Sequence, residues 1–273
     1  MTVKAAKLSN TFLYAGEAEL NGKYVHVLAY QNKAESSGPN AMILPFPSNV
    51  KMDENNILDT RSYKEFLKNI AMATKEQTRD LSDDINLKSI RKRSAKVFDV
   101  GSYTVVLAEK AIHIKKAIEK VPEDKRPSIS KEFLSDYTKL YPDQQVAICC
   151  WNGNINPEPL LWWYEPTNRE NIFVPTMDAH DGNGPDLNAK VQRDHIISTG
   201  ATTRSLIDKL PFKDYTSSTV DYTDNLPETA KQLLPTRVWG IKIDDFIKNG
   251  DMFIEPFSTI NVNDRRIKMM GWE

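Results

Sequence analysis

Cysteine is almost missing from this chain of 273 residues: the only two, Cys149 and Cys150, are neighbours. Adjacent cysteines cannot tie distant segments together, so a disulfide framework is excluded and a reducing, cytoplasmic setting is expected. Also missing is any stretch approaching the roughly 18 to 20 uninterrupted apolar residues of a membrane-spanning helix, so no membrane insertion is expected. Residues 1–10 have no apolar core of the signal-peptide kind. Nor is charge of one sign in excess, since 36 Lys and Arg stand against 37 Asp and Glu for a net charge of -1. A dedicated nucleic-acid binder would carry a basic surplus, so nucleic acid is not an expected partner. No phosphate-binding glycine loop, dinucleotide fingerprint, Gly-x-Ser-x-Gly elbow or His-Glu-x-x-His helix occurs.

What remains is the composition of an ordinary globular protein, 40% hydrophobic and 27% charged. A chain of this length buries about three quarters of its unfolded surface and needs neither metal nor disulfide to fold. The element pattern predicts an α+β fold, mostly antiparallel sheet with helices packed on it. It divides into an N-terminal lobe at 1–87 and a C-terminal lobe at 97–273, or forms one compact domain.

Residues 11–31 read as a β-hairpin, with β-prone runs on either side of Asn21-Gly22. In the second run Tyr24, His26, Leu28 and Tyr30 share one face, and Val25, Val27 and Ala29 the other. A strand from Ala41 ends in Pro45 and Pro47, which places it at a sheet edge. Tyr63, Phe66, Leu67, Ile70 and Ala71 recur at helical spacing. Val97 to Ala108 predicts one continuous strand around Gly101, followed by helices over 109–120 and 130–140, the second capped by Ser130. Runs at 145–151, 158–164 and 172–177 predict an antiparallel meander. Residues 178–225 read as a long polar loop holding one short helix near 201–210. Strands at 237–243 and 251–257 flank a turn or helix at 244–248.

Three pieces in this order, the strand through Met42-Ile-Leu-Pro-Phe-Pro47, the Val100 to Leu107 strand leading into a helix, and Pro159 to Tyr164 followed by Phe173-Val-Pro-Thr176, give the chain a resemblance to a bacterial domain family of unknown function. It covers residues 24–177. Many members of that family are exported, whereas this sequence shows no export signal. The resemblance implies an architecture and no catalytic residues.

The densest polar cluster runs from Met177 to Asp186 and is followed by Asp194 and His195. Asp178 and His180 are two apart, and with Asp181 and His195 they offer oxygen and nitrogen ligands to zinc or another divalent metal. A metal there would activate water for hydrolysis; no other cofactor is expected. The competing reading is a loop rich in Asp, Asn and Gly for its turns. Ser198, Thr199 and Thr202 are the nearby hydroxyl nucleophiles. His26 and His113 read as structural, and the two cysteines as small buried hydrophobes, one facing each side of a sheet.

Trp162, Trp163 and Tyr164 concentrate aromatic area on one strand, with Trp162 and Tyr164 on one face and Trp163 on the other. Such rings serve either as core or as a protein-docking platform. Arg91, Lys92 and Arg93 lie within a basic run at 88–96 that suits phosphates, an acidic partner or an import receptor, or forms a solvated face. The expected function is therefore a non-catalytic binding or self-assembling scaffold protein using an aromatic-rich sheet surface, with a protein partner or a second copy. The alternative is a metal-dependent hydrolase centred on residues 178–195.

Overall fold

A computed structural model describes residues 2–4, 6–75, 97–179, 184–201, 218–254 and 267–269. In chain order the strands are β1 (Lys7–Leu20), β2 (Lys23–Glu35), β3 (Pro39–Phe46), β4 (Ile57–Leu58), β5 (Val97–Val100), β6 (Tyr103–Ala108), β7 (Gln145–Asn152), β8 (Leu160–Tyr164), β9 (Ile172–Val174), β10 (Lys190–Ala201), β11 (Ser218–Thr219), β12 (Arg237–Lys248), β13 (Met252–Ile254) and β14 (Ile267–Met269). The helices are α1 (Phe66–Lys75), α2 (Ile114–Ile118), α3 (Lys131–Leu140) and α4 (Glu228–Leu233).

The β1–β2 hairpin turns at Asn21-Gly22, whose φ angles of 52° and 77° both lie in the left-handed region that a two-residue turn of this hand requires. That hairpin sits inside a seven-stranded sheet of order β11-β12-β10-β1-β2-β8-β4. All its pairings are antiparallel except β1 with β10, which run parallel with Thr11 opposite His195. A second sheet has the order β3-β7-β6-β5, so the proline-ended β3 lies at an edge as its sequence predicts. A small third sheet joins β14, β13 and β9.

Strict alternation sorts the side chains into layers. Leu13, Leu28, Leu160 and Trp162 of the first sheet share one core with Met42, Leu44, Val105 and Cys149 of the second. Tyr14, Val25, Val27 and Leu161 point the other way, onto Phe66 and Ile70 of α1 and Leu233 of α4. On the outer face of the second sheet, Ile43, Val106, Ile148 and Cys150 meet Ile114 of α2 and Phe133 and Tyr137 of α3. The molecule is thus an α+β stack of helix, sheet, sheet and helix. The expected lobe boundary at 88–96 lies outside the described residues, and strands from either side of it pair: β1 with β10, β2 with β8 and β3 with β7. Among the described residues no helix is long and apolar enough to cross a membrane.

Four sequence expectations need correcting. Val97 to Ala108 is a hairpin, because Gly101 adopts φ +52° and its missing Cβ leaves room for the Glu158 carboxylate. The runs at 145–151, 158–164 and 172–177 are strands, but they belong to three different sheets, so the meander does not form. The polar loop of 178–225 contains β10, a twelve-residue strand in the middle of the large sheet; most of the helix expected near 201–210 lies outside the described residues. The turn expected at 244–248 is instead the continuation of β12, paired with β10 as far as Lys248. The Ser130 cap is present, its hydroxyl accepting the Phe133 N–H at 3.0 Å.

Candidate functional site

Of the four residues expected to hold a metal, His180 and Asp181 lie outside the described residues. Asp178 follows β9 and is gripped through its backbone: its N–H donates to Asn249 Oδ1 and its carbonyl accepts from Asn249 Nδ2, both at 2.8 Å. His195 lies within β10, between Thr11 of β1 and Ile243 of β12. Among the described residues no three His, Cys, Asp or Glu side chains gather in a way that would hold a metal ion.

The segment has a buried polar clamp instead. Asp251 is completely buried and accepts the N–H groups of Thr176 and Met177 at 2.8 Å each, together with the Tyr141 hydroxyl. Arg193, 1% exposed, donates to the Thr176 carbonyl, to Asn249 Oδ1 at 3.2 Å and to the Gly250 carbonyl at 3.4 Å. Burial pushes the Asp251 carboxyl up and the Arg193 guanidinium down, the direction desolvation drives each. Most of their partners are backbone groups of the loops they join, with the Tyr141 hydroxyl and Asn249 Oδ1 as side-chain partners, so the work they do is to fix the chain after β9 against the chain after β12.

The described nucleophile candidates are buried. Ser198 is buried, with its hydroxyl 2.7 Å from that of Thr74 on α1. Thr199 is buried, and Thr202 lies outside the described residues. Cys149 and Cys150 face opposite sides of β7 as expected. Burial holds the Cys150 thiol up at about 12 and pushes Cys149 well above its ordinary value, which keeps both protonated at neutral pH.

Alternation assigns the β8 aromatics to their faces correctly, but not to a surface. Trp162 and Tyr164 are enclosed between the two sheets, with ring centroids 5.1 and 5.4 Å from that of Phe46. Trp163, half-buried on the helix side, donates its indole N–H to the Asn55 carbonyl at 2.9 Å. β8 is covered on both faces, which a single strand's sequence does not reveal. Arg91, Lys92 and Arg93 lie outside the described residues.

A cluster that sequence reading passed over sits beside the hairpin turn. Tyr24 donates its hydroxyl proton to Glu17 Oε2 at 2.7 Å, and its oxygen lies 3.2 Å from His26 Nε2. Arg169 stacks over the Tyr24 ring at 5.1 Å. Burial, helped by the Arg169 charge, pulls His26 down to about 4, so it is neutral at neutral pH. In the Nε2–H tautomer it donates to Tyr24, leaving a buried Nδ1 that has no partner. The signal was available: Leu20 opposite Lys23 across a two-residue turn fixes Glu17 opposite His26.

Elsewhere, a cleft of about 460 Å³ between the chain at 51–52 and α2 is lined by Lys51, Glu109, His113, Lys116 and Lys120. Lys51 is paired there with Glu109, which offsets part of its basic character.

Two of the exposed large apolar side chains, Ile241 and Phe246, share the strand β12. Among the described residues β11 pairs with this strand at Arg237 and Val238. Alternation puts Trp239, Ile241, Ile243 and Ile247 on the face that continues the inter-sheet core; Ile243 and Ile247 pack at the margin of that core, while Ile241 is 40% exposed. Phe246, on the opposite face, is 59% exposed. Reading 244–248 as a turn concealed this row, although Trp239, Ile241 and Ile243 already alternate in the sequence.

No family model matches the chain, and no curated protein matches it. Among solved structures it is similar to the crystal structure of baculovirus P35, with 15% identity over 92% of this chain and 89% of that one and a TM-score of 0.45. The likeness is a distant one.

Proposed function

We propose that this chain is a non-catalytic binding or self-assembling protein, and that its docking surface is the outer edge and faces of β12. The observation that carries this is the exposure of Ile241 and Phe246 on a twelve-residue strand that is paired along its whole length with β10. Edge strands of soluble proteins are usually short or covered, because unpaired N–H and C=O groups recruit another strand. Among the described residues β11 meets this strand at Arg237 and Val238, and Ile241 and Phe246 further along it are exposed.

Lys242, Asp244, Asp245 and Lys248 lie on the same stretch and give it a charge pattern that a partner strand has to match. Addition of an extended segment supplies main-chain hydrogen bonds for affinity, and the alternating side chains supply selectivity. A protein partner fits an edge bearing both signs of charge better than a polyanion does.

The test uses a synthetic peptide with the sequence of Arg237–Lys248 as the probe strand, added to dilute full-length protein. Hydrogen exchange should slow at the β12 amides from Gly240 to Lys248, and an Ile241→Lys, Phe246→Lys double variant should abolish the effect. Unchanged exchange at those amides under saturating peptide would sink the reading.

A further inference from the structure

We infer that the cleft between residues 51–52 and α2 is a binding site for a small phosphomonoester with an apolar body, its phosphate held by Lys116 and Lys120. The site is separate from β12, since α2 packs on the outer face of the second sheet and β12 belongs to the first. Its volume of about 460 Å³ lies within the range of small-molecule pockets.

The core side of the helix decides what its other side presents. Ile114, Ala117, Ile118 and Val121 are buried in the layer over the second sheet. His113, Lys116 and Lys120, at positions i, i+3 and i+7, then form one exposed row that lines the cleft. Ala117 lies in the same wall, and its side chain is too short to fill the space. The facing wall is held by Gln145, whose Oε1 accepts the Met52 N–H at 2.7 Å and whose Nε2 donates to the Val50 carbonyl. Gln145 is only 9% exposed, so both walls are fixed before a ligand enters.

Charge and apolar surface select the ligand class. Among the described lining residues Glu109 is the one acid, and it is paired with Lys51. Among the described residues His113, Lys116 and Lys120 have no ion-pair partner, so the helix wall keeps two ammonium charges and an imidazole. Lys116 and Lys120 stand one helical turn apart, close enough for both to reach the same head group. A phosphomonoester carries about 1.5 to 2 negative charges at neutral pH on three acceptor oxygens, which suits two lysines better than a single carboxylate does. Met52, Leu107, Ala108 and Ala117 line the same cleft and offer apolar contact to the rest of the molecule. Val50 and Ile112, the chain neighbours of Lys51 and His113, are exposed large apolar side chains that add to it.

The experiment is calorimetric titration of the full-length protein with naphthyl phosphate, inorganic phosphate, naphthol and naphthoate, with thermal unfolding of each variant to show that it folds. Naphthyl phosphate should saturate one site and bind at least about tenfold more tightly than each of the other three. Its addition should shift the amide resonances of Leu107, Ala108 and Ala117. Lys116→Glu and Lys120→Glu should each weaken it by about tenfold or more, because each turns an attraction into a repulsion. Lys231→Glu, on α4 at the opposite side of the stack, should leave it unchanged. Absence of saturable binding, or affinity unaltered by either charge reversal at 116 and 120, overturns the inference. So does inorganic phosphate binding as tightly as the ester, which would leave the apolar lining without a role, or naphthoate binding as tightly, which would remove the preference for phosphate.

Discussion

The Asp251 carboxylate accepts the Thr176 backbone N–H at 2.8 Å, across 75 residues of sequence and wholly inside the protein. With Met177 N–H and the Tyr141 hydroxyl on the same carboxylate, the side chain satisfies three donors that have no route to water. Asp251→Ala should cost about 3 kcal/mol, because it orphans all three. Asp251→Asn should cost about 1 kcal/mol, since its oxygen can still serve Thr176 and Met177 and no charge is buried. Urea unfolding at neutral pH compares the two; equal losses would mean that the carboxylate is not what holds this segment.

Acid should weaken the fold through His26. Its folded value of about 4 lies below the ordinary 6.5, so the unfolded chain takes up the proton first. The sign follows: stability from this group is fully present above pH 6.5 and is lost as pH falls toward 4, by about 3 kcal/mol in all. Asp251 acts in the opposite sense, since burial raises its carboxyl above 3.8 and its contribution declines as pH rises through the folded value. Denaturation midpoints of wild type and His26→Leu between pH 7 and 4 should converge as the pH drops. Parallel curves would remove His26 as the cause.

Trp162 and Trp163 should separate sharply. Trp162→Ala empties a site enclosed between two sheets and should cost about 4 kcal/mol. Trp163→Ala removes a half-buried ring with one hydrogen bond to Asn55, an expected loss of about 1 to 2 kcal/mol. Comparable small losses for both would return these aromatics to the surface.

Gly240→Ala should be among the more damaging changes on β12. A Cβ there would run into the Ile197 carbonyl oxygen and come within 2.9 Å of Ser198 Cα, both backbone atoms of β10 that cannot swing aside. The expected loss is about 2 to 3 kcal/mol, with faster hydrogen exchange along β10 and β12. Gly22→Ala is the instructive contrast: nothing lies within 4 Å of its Cβ, so its penalty comes from a φ of +77° alone and should be about 1 kcal/mol.

Where neighbours along the chain decide the structure, the sequence was readable. Asn21-Gly22 made the hairpin, Ser130 capped α3, the prolines put β3 at an edge, and alternation placed every β8 ring on its correct face. What escaped was decided by partners far away. β10 looks too polar for a central strand, because Arg193 and Ser198 are satisfied only by Thr176, Asn249, Gly250 and Thr74. Asp244-Asp245 imitates a turn within an exposed strand. Which sheet receives β7, β8 and β9 depends on pairing partners far along the chain: β3 for β7 and β2 for β8, both upstream, and β13 for β9, downstream. The β12 wing was half legible, since its alternation was visible but its length was not.

The parallel pairing of β1 with β10 also sets an order of events during synthesis. Asn10 and Asp194, bonded at 3.0 Å, are 184 residues apart, so β1 emerges from the ribosome long before its neighbour exists. The β1–β2 hairpin can close at once, but one flank of β1, at the centre of the large sheet, stays bare until most of the chain has been made. Non-local parallel pairing of this kind is slow to form. A nascent chain stalled before residue 190 should therefore be more prone to aggregate than the finished protein, and a chaperone that shields β1 should raise the yield.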